Sequence, residues 1–494
     1  MKKYILAMAS VAAIGILIQS GCGGGGGGAT LPIVAAPGTI AVFGGDAPLC
    51  SVISFSVTIT GLTLTPQSGS GPVSVLPGGK AVTVDFASLM DFATMLSVSN
   101  VPPDTYNALG ITLSNPQLTY LDTSTTPPSF KTIAPTMISL TINLNLDPAI
   151  TIASNGTVAL QLDFDLLNSV LTDSNNQITG SVNPTFTTSL ASASGSNGFA
   201  EFDDLNGLVQ SVATSSTNPS FIGSFTISRP NTPTFTVNVT TSTTFDGVSG
   251  LSALTAGDFV EMDAFLDPKA NIVANTVVAE AQEDAASGEA AFAGLITSVT
   301  PQTGNATQFT LLVGEENPDV SSRVGLFSTL TFNIAPSSTR FRLTAQAANF
   351  ANFPFGSANL AVGQRVVVHG TLPSGSGTAQ TATARSVFLG LQSILGNLST
   401  NASTPVTIAN DGVDGGFTLV PCSPLFQPAQ ITVLAPQQTA FSGISNLYSL
   451  NNPGPHFLLV KGLLFNEQST TSFGVESWTV PANVQVANQI HQLP

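Results

Sequence analysis

From Thr39 to about Leu190 apolar residues return at every second position. Ile138, Leu140, Ile142, Leu144 and Leu146 alternate with Ser139, Thr141, Asn143 and Asn145, and Val158, Leu160, Leu162 and Phe164 alternate with Ala159, Gln161 and Asp163. Strict alternation gives a strand one buried and one wet face, as in the antiparallel sheets of a β-sandwich. Phe55, Val57 and Ile59 keep odd positions and Leu62 and Leu64 even ones. The change of parity at Gly61 predicts a bulge or turn there. Over residues 86–96 the period lengthens: Phe86, Leu89, Met90, Ala93 and Leu96 share one helical face and Asp85 stands at the N-cap position. That stretch predicts one short helix among the strands.

Beyond Gly198 the pattern repeats three times. Gly207-Leu208-Val209, Gly294-Leu295-Ile296 and Gly396-Asn397-Leu398 each open a unit. An apolar strand follows, then a strand leading into Thr243-Thr244-Phe245, Thr339-Arg340-Phe341 or Thr439-Ala440-Phe441. Gly257-Asp258-Phe259-Val260, Gly363-Gln364-Arg365-Val366 and Gly454-Pro455-His456-Phe457 head the next strand, and a last strand closes each unit, placed at 473–480 in the third. A spacing of roughly 90–100 residues suits whole duplicated domains rather than a solenoid. Five or six short strands with Gly-led turns predict small closed barrels of the OB type.

The first residues read differently. Lys2 and Lys3 precede an apolar stretch from Ile5 to Ile18 that ends in Gln19-Ser20-Gly21-Cys22. A charged start and a short apolar run are the marks of an export signal, too short to span a bilayer. Small residues directly before a cysteine resemble the lipobox of bacterial lipoproteins, although Gln19 stands where that family usually has Leu. The resemblance implies cleavage before Cys22, lipidation of its thiol and, with Gly rather than Asp following, the outer membrane or cell surface. The glycine run at 23–28 has no strand before it and no helix after it to make it a phosphate cradle; it reads as a tether with a reach of about 20–25 Å.

The organisation expected is therefore signal 1–21, tether 22–38, sandwich 39–190, barrels at 198–284, 288–390 and 394–482, and a tail at 483–494. The fold class expected is all-β, an N-terminal antiparallel β-sandwich with one short helix followed by three tandem OB-like barrels.

Charge narrows the function classes. Only 8% of the 494 residues are Asp, Glu, Lys or Arg, and 12 basic against 28 acidic residues leave a formal charge of −16. So few cations cannot neutralise phosphates, which argues against a nucleic-acid partner. The 43% apolar content argues against disorder. Three cysteines are few, and lipidation of Cys22 leaves Cys50 and Cys422 as one disulfide or two buried thiols.

Catalytic signals are sparse. There is no G-x-S-x-G, C-x-x-C or H-E-x-x-H, and His369, His456 and His491 occupy non-equivalent places, each read as structural. Glu315, Glu316 and Asp319 cluster in one loop and Asp411 and Asp414 in another; both read as solvated acidic loops, with calcium as the alternative ligand. No other cofactor is expected. Phe350, Phe353 and Phe355 lie in an insertion that only the second unit has, either a partner-binding tip or a plug over its own barrel.

Gly45-Asp46-Ala47-Pro48, and later Val101-Pro102-Pro103-Asp104-Thr105-Tyr106 before a strand, resemble an uncharacterised domain family of bacterial surface lipoproteins that opens with D-A-P and carries a P-x-x-x-Y turn. That family supplies no catalytic residues. Asp46 reads as an Asx-type turn before Pro48, with a calcium ligand as the alternative. The repeats resemble a second uncharacterised family of tandem barrels in exported bacterial proteins. The reading is a lipid-anchored, non-enzymatic envelope protein held to the membrane through Cys22, with an envelope glycan or protein as its partner. The alternatives are an exported carboxylate-dependent hydrolase acting on glycans and a carrier of an apolar ligand.

Overall fold

In the computed structural model the described residues are 36–47, 49–90, 94–125, 128–191, 200–228, 234–280, 289–316, 324–344, 355–374, 380–399, 406–408, 415–426, 430–452, 454–466, 470–473, 476–479 and 484–493. The chain is almost entirely β: a sandwich followed by three closed five-stranded barrels. Among the described residues no helix is long and apolar enough to cross a membrane.

One sandwich sheet runs in the order Phe186–Ala191, Thr157–Asp165, Gly38–Ala47, Thr94–Val101, and its central pair is parallel. The other is built on the long pair Val52–Pro66 and Asp104–Asp122. On the outer side of Asp104–Asp122 lie Ser129–Ile133 and Thr141–Ile152. Phe55, Ile59, Leu62 and Leu64 all face the core because the ladder shifts register between Ile59 and Gly61, where the change of parity predicts a bulge. Phe55, Phe86, Phe164 and Phe186 fill the centre, with Phe55 and Phe164 stacked at 4.9 Å and Phe164 and Phe186 edge-on at 4.8 Å.

The helix expected over residues 86–96 is not formed. Phe86–Leu89 is a single 3-10 turn and Thr94–Val101 is a strand. Phe86, Leu89 and Leu96 are all buried, so a turn and a strand that each bury residues mimic a helical period. Asp85, instead of capping, accepts the Phe55 amide at 2.8 Å. The one short α-helix among the described residues is Leu166–Ser169, capped by Asp165, whose carboxylate accepts the Asn168 amide at 3.0 Å.

Each barrel has the same connectivity. In the first, strands Ala200–Ala213, Gly223–Ser228, Phe235–Val239, Phe259–Leu266 and Ile272–Glu280 pair so that the first strand lies between the second and fourth. The third closes on the fifth in parallel, with Val237 beside Ile272. The second barrel repeats this with Glu289–Thr300, Gln308–Glu316, Thr329–Ile334, Arg365–Thr371 and Thr381–Leu389, closing at Thr331 and Thr381. The third uses Gln392–Leu398, Gly415–Pro421, Ile431–Ala435, Phe457–Phe465 and Val484–Gln492, closing at Thr432 and Val484. This is the OB arrangement.

The repeated motifs now have physical causes. The hydroxyls of Thr243, Thr339 and Thr439 donate to the fifth-strand carbonyls of Ala274, Ala384 and Ala487 at 2.7, 2.7 and 3.0 Å. A side chain at the opening Gly294 would put its Cβ 2.1 Å from the Leu312 carbonyl oxygen, so glycine is required where the first strand crosses the second. Asp258, Gln364 and His456 are equivalent, since their carbonyls accept from Val209, Ile296 and Leu398 at 2.9, 2.8 and 2.9 Å. Pro455, not Gly454, therefore stands where Gly257 and Gly363 do, which corrects the alignment of the third unit by one residue.

The third barrel also ends later than its sequence suggests. Thr470–Phe473 pairs with Glu476–Thr479 as a separate hairpin, and the closing strand is Val484–Gln492, inside the expected tail at 483–494. Val484, Val486, Ala487 and Ile490 are buried there, so His491 lies on a strand rather than in a tail.

The domains are welded. The strand Gly38–Ala47 sends Ile40 and Val42 into the sandwich core and Ala41 and Phe43 into the core of barrel 1. Phe457–Phe465 sends Leu458, Val460 and Leu464 into barrel 3 and Leu463 and Phe465 into the core shared with barrel 2. A strand covered on both faces reads as a near-continuous apolar run. Gly462 interrupts that run because a Cβ there would lie 2.0 Å from the Val486 carbonyl oxygen.

Candidate functional site

Three places could carry function. The first is the junction of the sandwich with barrels 2 and 3. Cys50, in the turn after Gly38–Ala47, and Cys422, after the second strand of barrel 3, are joined by a disulfide across 372 residues of sequence, with their Cα atoms 5.4 Å apart. Beside it lies a cleft of about 70 Å³ walled by Leu49 and Ile53 of the sandwich, Leu295 and Arg365 of barrel 2, and Leu395 and Phe426 of barrel 3. That volume holds a few waters or the tip of a side chain, well short of the several hundred Å³ of a small-molecule pocket.

The second is Asp46. The parallel pairing sets it beside Phe164, where it is only 8% exposed, and neither carboxylate oxygen has a hydrogen-bond partner. The expected Asx-type turn is therefore not made; the strand runs extended through Asp46 and holds the carboxylate against the core rim. Burial pushes its pKa well up, and the negative charges of Asp163, Asp85 and Asp165 push in the same direction. The nearby Leu166 amide pulls it down, but makes no hydrogen bond of ordinary geometry. Asp163 is raised too, first by burial and then by Asp165. A carboxyl so placed is held in its neutral form, or waits for a positive charge.

The third is the outer face of the second and third barrel strands, which OB-type barrels use for ligands. In barrel 1 it presents Ser224, Thr226, Thr236 and Asn238, and in barrel 2 Gln308, Thr310, Thr331 and Asn333. The Thr310 and Thr331 hydroxyls lie 3.2 Å apart, and the Asn238 and Asn333 amides donate to Ile272 and Ala382 carbonyls at 3.1 and 3.4 Å. These positions hold neither the aromatics nor the cations with which such faces grip single-stranded nucleic acids.

The residues singled out from sequence are mostly scattered. Cys22, Asp319, Phe350, Phe353, Asp411 and Asp414 lie outside the described residues. Glu315 and Glu316 end the second strand of barrel 2, paired with Ala293 and Phe292. Phe355 is half-buried, edge-on to Phe341 at 5.5 Å and 6.5 Å from Phe465, so this part of the insertion packs inward. His456 bridges the Asn452 carbonyl and the Gln492 side chain at 3.0 and 2.9 Å, and His369 pairs across the ladder with Ala291. Among the described residues no group of three His, Cys, Asp or Glu side chains is placed to hold a metal ion.

Two features escaped the sequence reading. Tyr106 of the P-x-x-x-Y turn is fully buried and donates its hydroxyl to the Pro102 carbonyl at 2.6 Å, which explains the four-residue spacing. Gln364, Gln392 and Gln485 are buried amides at the seam of barrels 2 and 3: Gln364 donates to the Leu464 carbonyl and Gln392 to the Gly363 carbonyl, both at 2.7 Å across the seam, while Gln485 donates within barrel 3 to the Gln392 carbonyl at 3.1 Å. A lone Gln inside an apolar strand, as in Val484-Gln485-Val486, was the available signal.

A family model described as a domain of unknown function (DUF4382) matches residues 37–179, within the sandwich. A second, a domain of unknown function (DUF5666), matches residues 206–277, within barrel 1. None of the curated proteins matches the chain. A solved structure titled drosophila Unr CSD456 is 12% identical and covers 59% of this chain and 97% of its own, with a TM-score of 0.13, too low to carry an argument. The chain thus carries two domains of unknown function in tandem, followed by two more barrels of the same topology.

Proposed function

We propose that this is a lipid-anchored protein of the cell envelope with a binding or structural role rather than a catalytic one. The observation that carries the reading is the Cys50–Cys422 disulfide, because a bond tying the first domain to the last is kept in oxidising compartments and not in a reducing cytosol. The charged and apolar run that ends at Cys22 supplies the route of export and the point of attachment. The hydroxyl- and amide-lined barrel faces suit an uncharged polar partner such as an envelope glycan.

The test is fractionation of cells carrying Cys22→Ser. Release of the protein from membranes is the expected result, and unchanged membrane association would refute the anchor. Glycan binding is read separately, by retention on purified envelope polysaccharide.

A further inference from the structure

We propose that the sandwich carries a self-association edge: two copies of this chain pair strand Thr141–Ile152 antiparallel about a two-fold axis at Asn143.

That strand pairs with Asp104–Asp122 along one side, and among the described residues no strand pairs with its other side. An open edge is a row of unpaired amides and carbonyls, and soluble proteins guard such edges with Lys, Pro, bulges or short strands. Here the guards stand at the two ends. The Ser139 hydroxyl donates to the Thr141 carbonyl at 2.7 Å and accepts its amide at 3.3 Å, so pairing there displaces it, and Asp147 and Pro148 interrupt the strand's second half. Residues 140–146 include no charge, no proline and no glycine. Part of their aliphatic surface stays in water: Leu140 is 48% exposed, and Ile142 and Leu144 are half-buried against the core, whereas Leu146 is buried. Across the mouth of the sandwich the edge strand of the other sheet leaves Leu190 48% exposed.

The occupant follows from the order of residues. Antiparallel pairing about Asn143 sets Leu140 opposite Leu146, Ile142 opposite Leu144, Thr141 opposite Asn145, and Asn143 opposite itself. Every aliphatic side chain then meets an aliphatic one on the core face and every polar one a polar one on the wet face, the match that cross-strand pairs require. A shift by one residue would mix the faces. Charge agrees: copies of net charge −16 repel, and this strip is free of charge, with Asp147 falling opposite Ser139 rather than another Asp147. The contact is isologous, so it closes at a dimer instead of running on as a fibre. It does not depend on the membrane anchor or on a glycan.

The test uses the full chain in detergent solution. Asn143 is exposed, so Asn143→Cys is tolerated by the fold and sets two thiols face to face. Air oxidation with a copper catalyst should couple them into a disulfide-linked dimer, the two hydrogens passing to oxygen, while Thr244→Cys on barrel 1 stays uncoupled. Sedimentation should give twice the monomer mass for the unaltered chain and the monomer mass for Leu140→Lys. A monomer at tens of micromolar, a dimer indifferent to Leu140→Lys, or no coupling through Asn143→Cys overturns the proposal.

Discussion

The sandwich and the barrels solve the same problem in opposite ways. Each barrel removes its edges by closing the third strand on the fifth, and the interior of barrel 2 is filled by Phe292, Phe309 and Phe332. The sandwich stays open between Thr141–Ile152 and Phe186–Ala191. In the barrels alternation in sequence becomes burial in structure. In the sandwich the same alternation leads to Ile138, which is 61% exposed. Periodicity reports which face a side chain takes, and topology decides whether anything covers that face.

Four measurements would break or sharpen that contrast. The largest effect belongs to the link between the two architectures. Cys50→Ser should destabilise by about 4 kcal/mol, given the length of chain the bond closes, and chemical denaturation should then show the sandwich and the last barrel losing cooperativity. A single unchanged transition would mean that packing alone joins them.

Next is Asp46→Asn, expected to stabilise by roughly 1–3 kcal/mol at pH 7 by removing the cost of keeping a buried, unpartnered carboxyl protonated. The sign follows from the raised pKa: the folded state holds the proton at a pH where the unfolded chain has lost it. Stability is thus fullest below the unfolded carboxylate value and falls as pH rises through the folded one. The gain from Asn should accordingly vanish near pH 4, and thermal melts across pH 4–8 that run parallel for both proteins would exclude it.

Thr339→Val removes the hydroxyl that ties the barrel to the Ala384 carbonyl and should cost about 1–2 kcal/mol in urea titration. An equal loss from Thr243→Val would show that the repeats share one energetic design. Smallest is Leu140→Thr, which, measured at a dilution where copies are unpaired, should change stability by less than about 0.5 kcal/mol because the side chain is half in water already. A loss above about 1 kcal/mol at that dilution would mean that the single sandwich covers its own edge.

Much of the fold was legible. The bulge at Gly61, the three duplicated units and a count of five or six strands in each follow from parity changes and repeated Gly and Thr landmarks. The missed helix and the misplaced end of barrel 3 share a cause. Phe86, Leu89 and Leu96, like Val484, Val486 and Ile490, are buried by distant elements, and a local period cannot register a remote neighbour. The candidate sites were less legible still. Asp46 stands in a readable motif, but its lack of partners depends on Phe164 and Asp163, more than a hundred residues on. Gln364 and Gln392 complete their hydrogen bonds only once two barrels touch.

That contact has a bearing on how the molecule is made. Val484 and Val486 belong both to the strand that closes barrel 3 and to the core that finishes barrel 2. Gln485 between them donates to the Gln392 and Val460 carbonyls. A chain halted before Val484 would therefore leave two domains incomplete rather than one, and would display sticky aliphatic surface on a barrel whose own last strand had ended at Leu389. The compact, sealed form of both barrels is reserved for chains that have reached this strand.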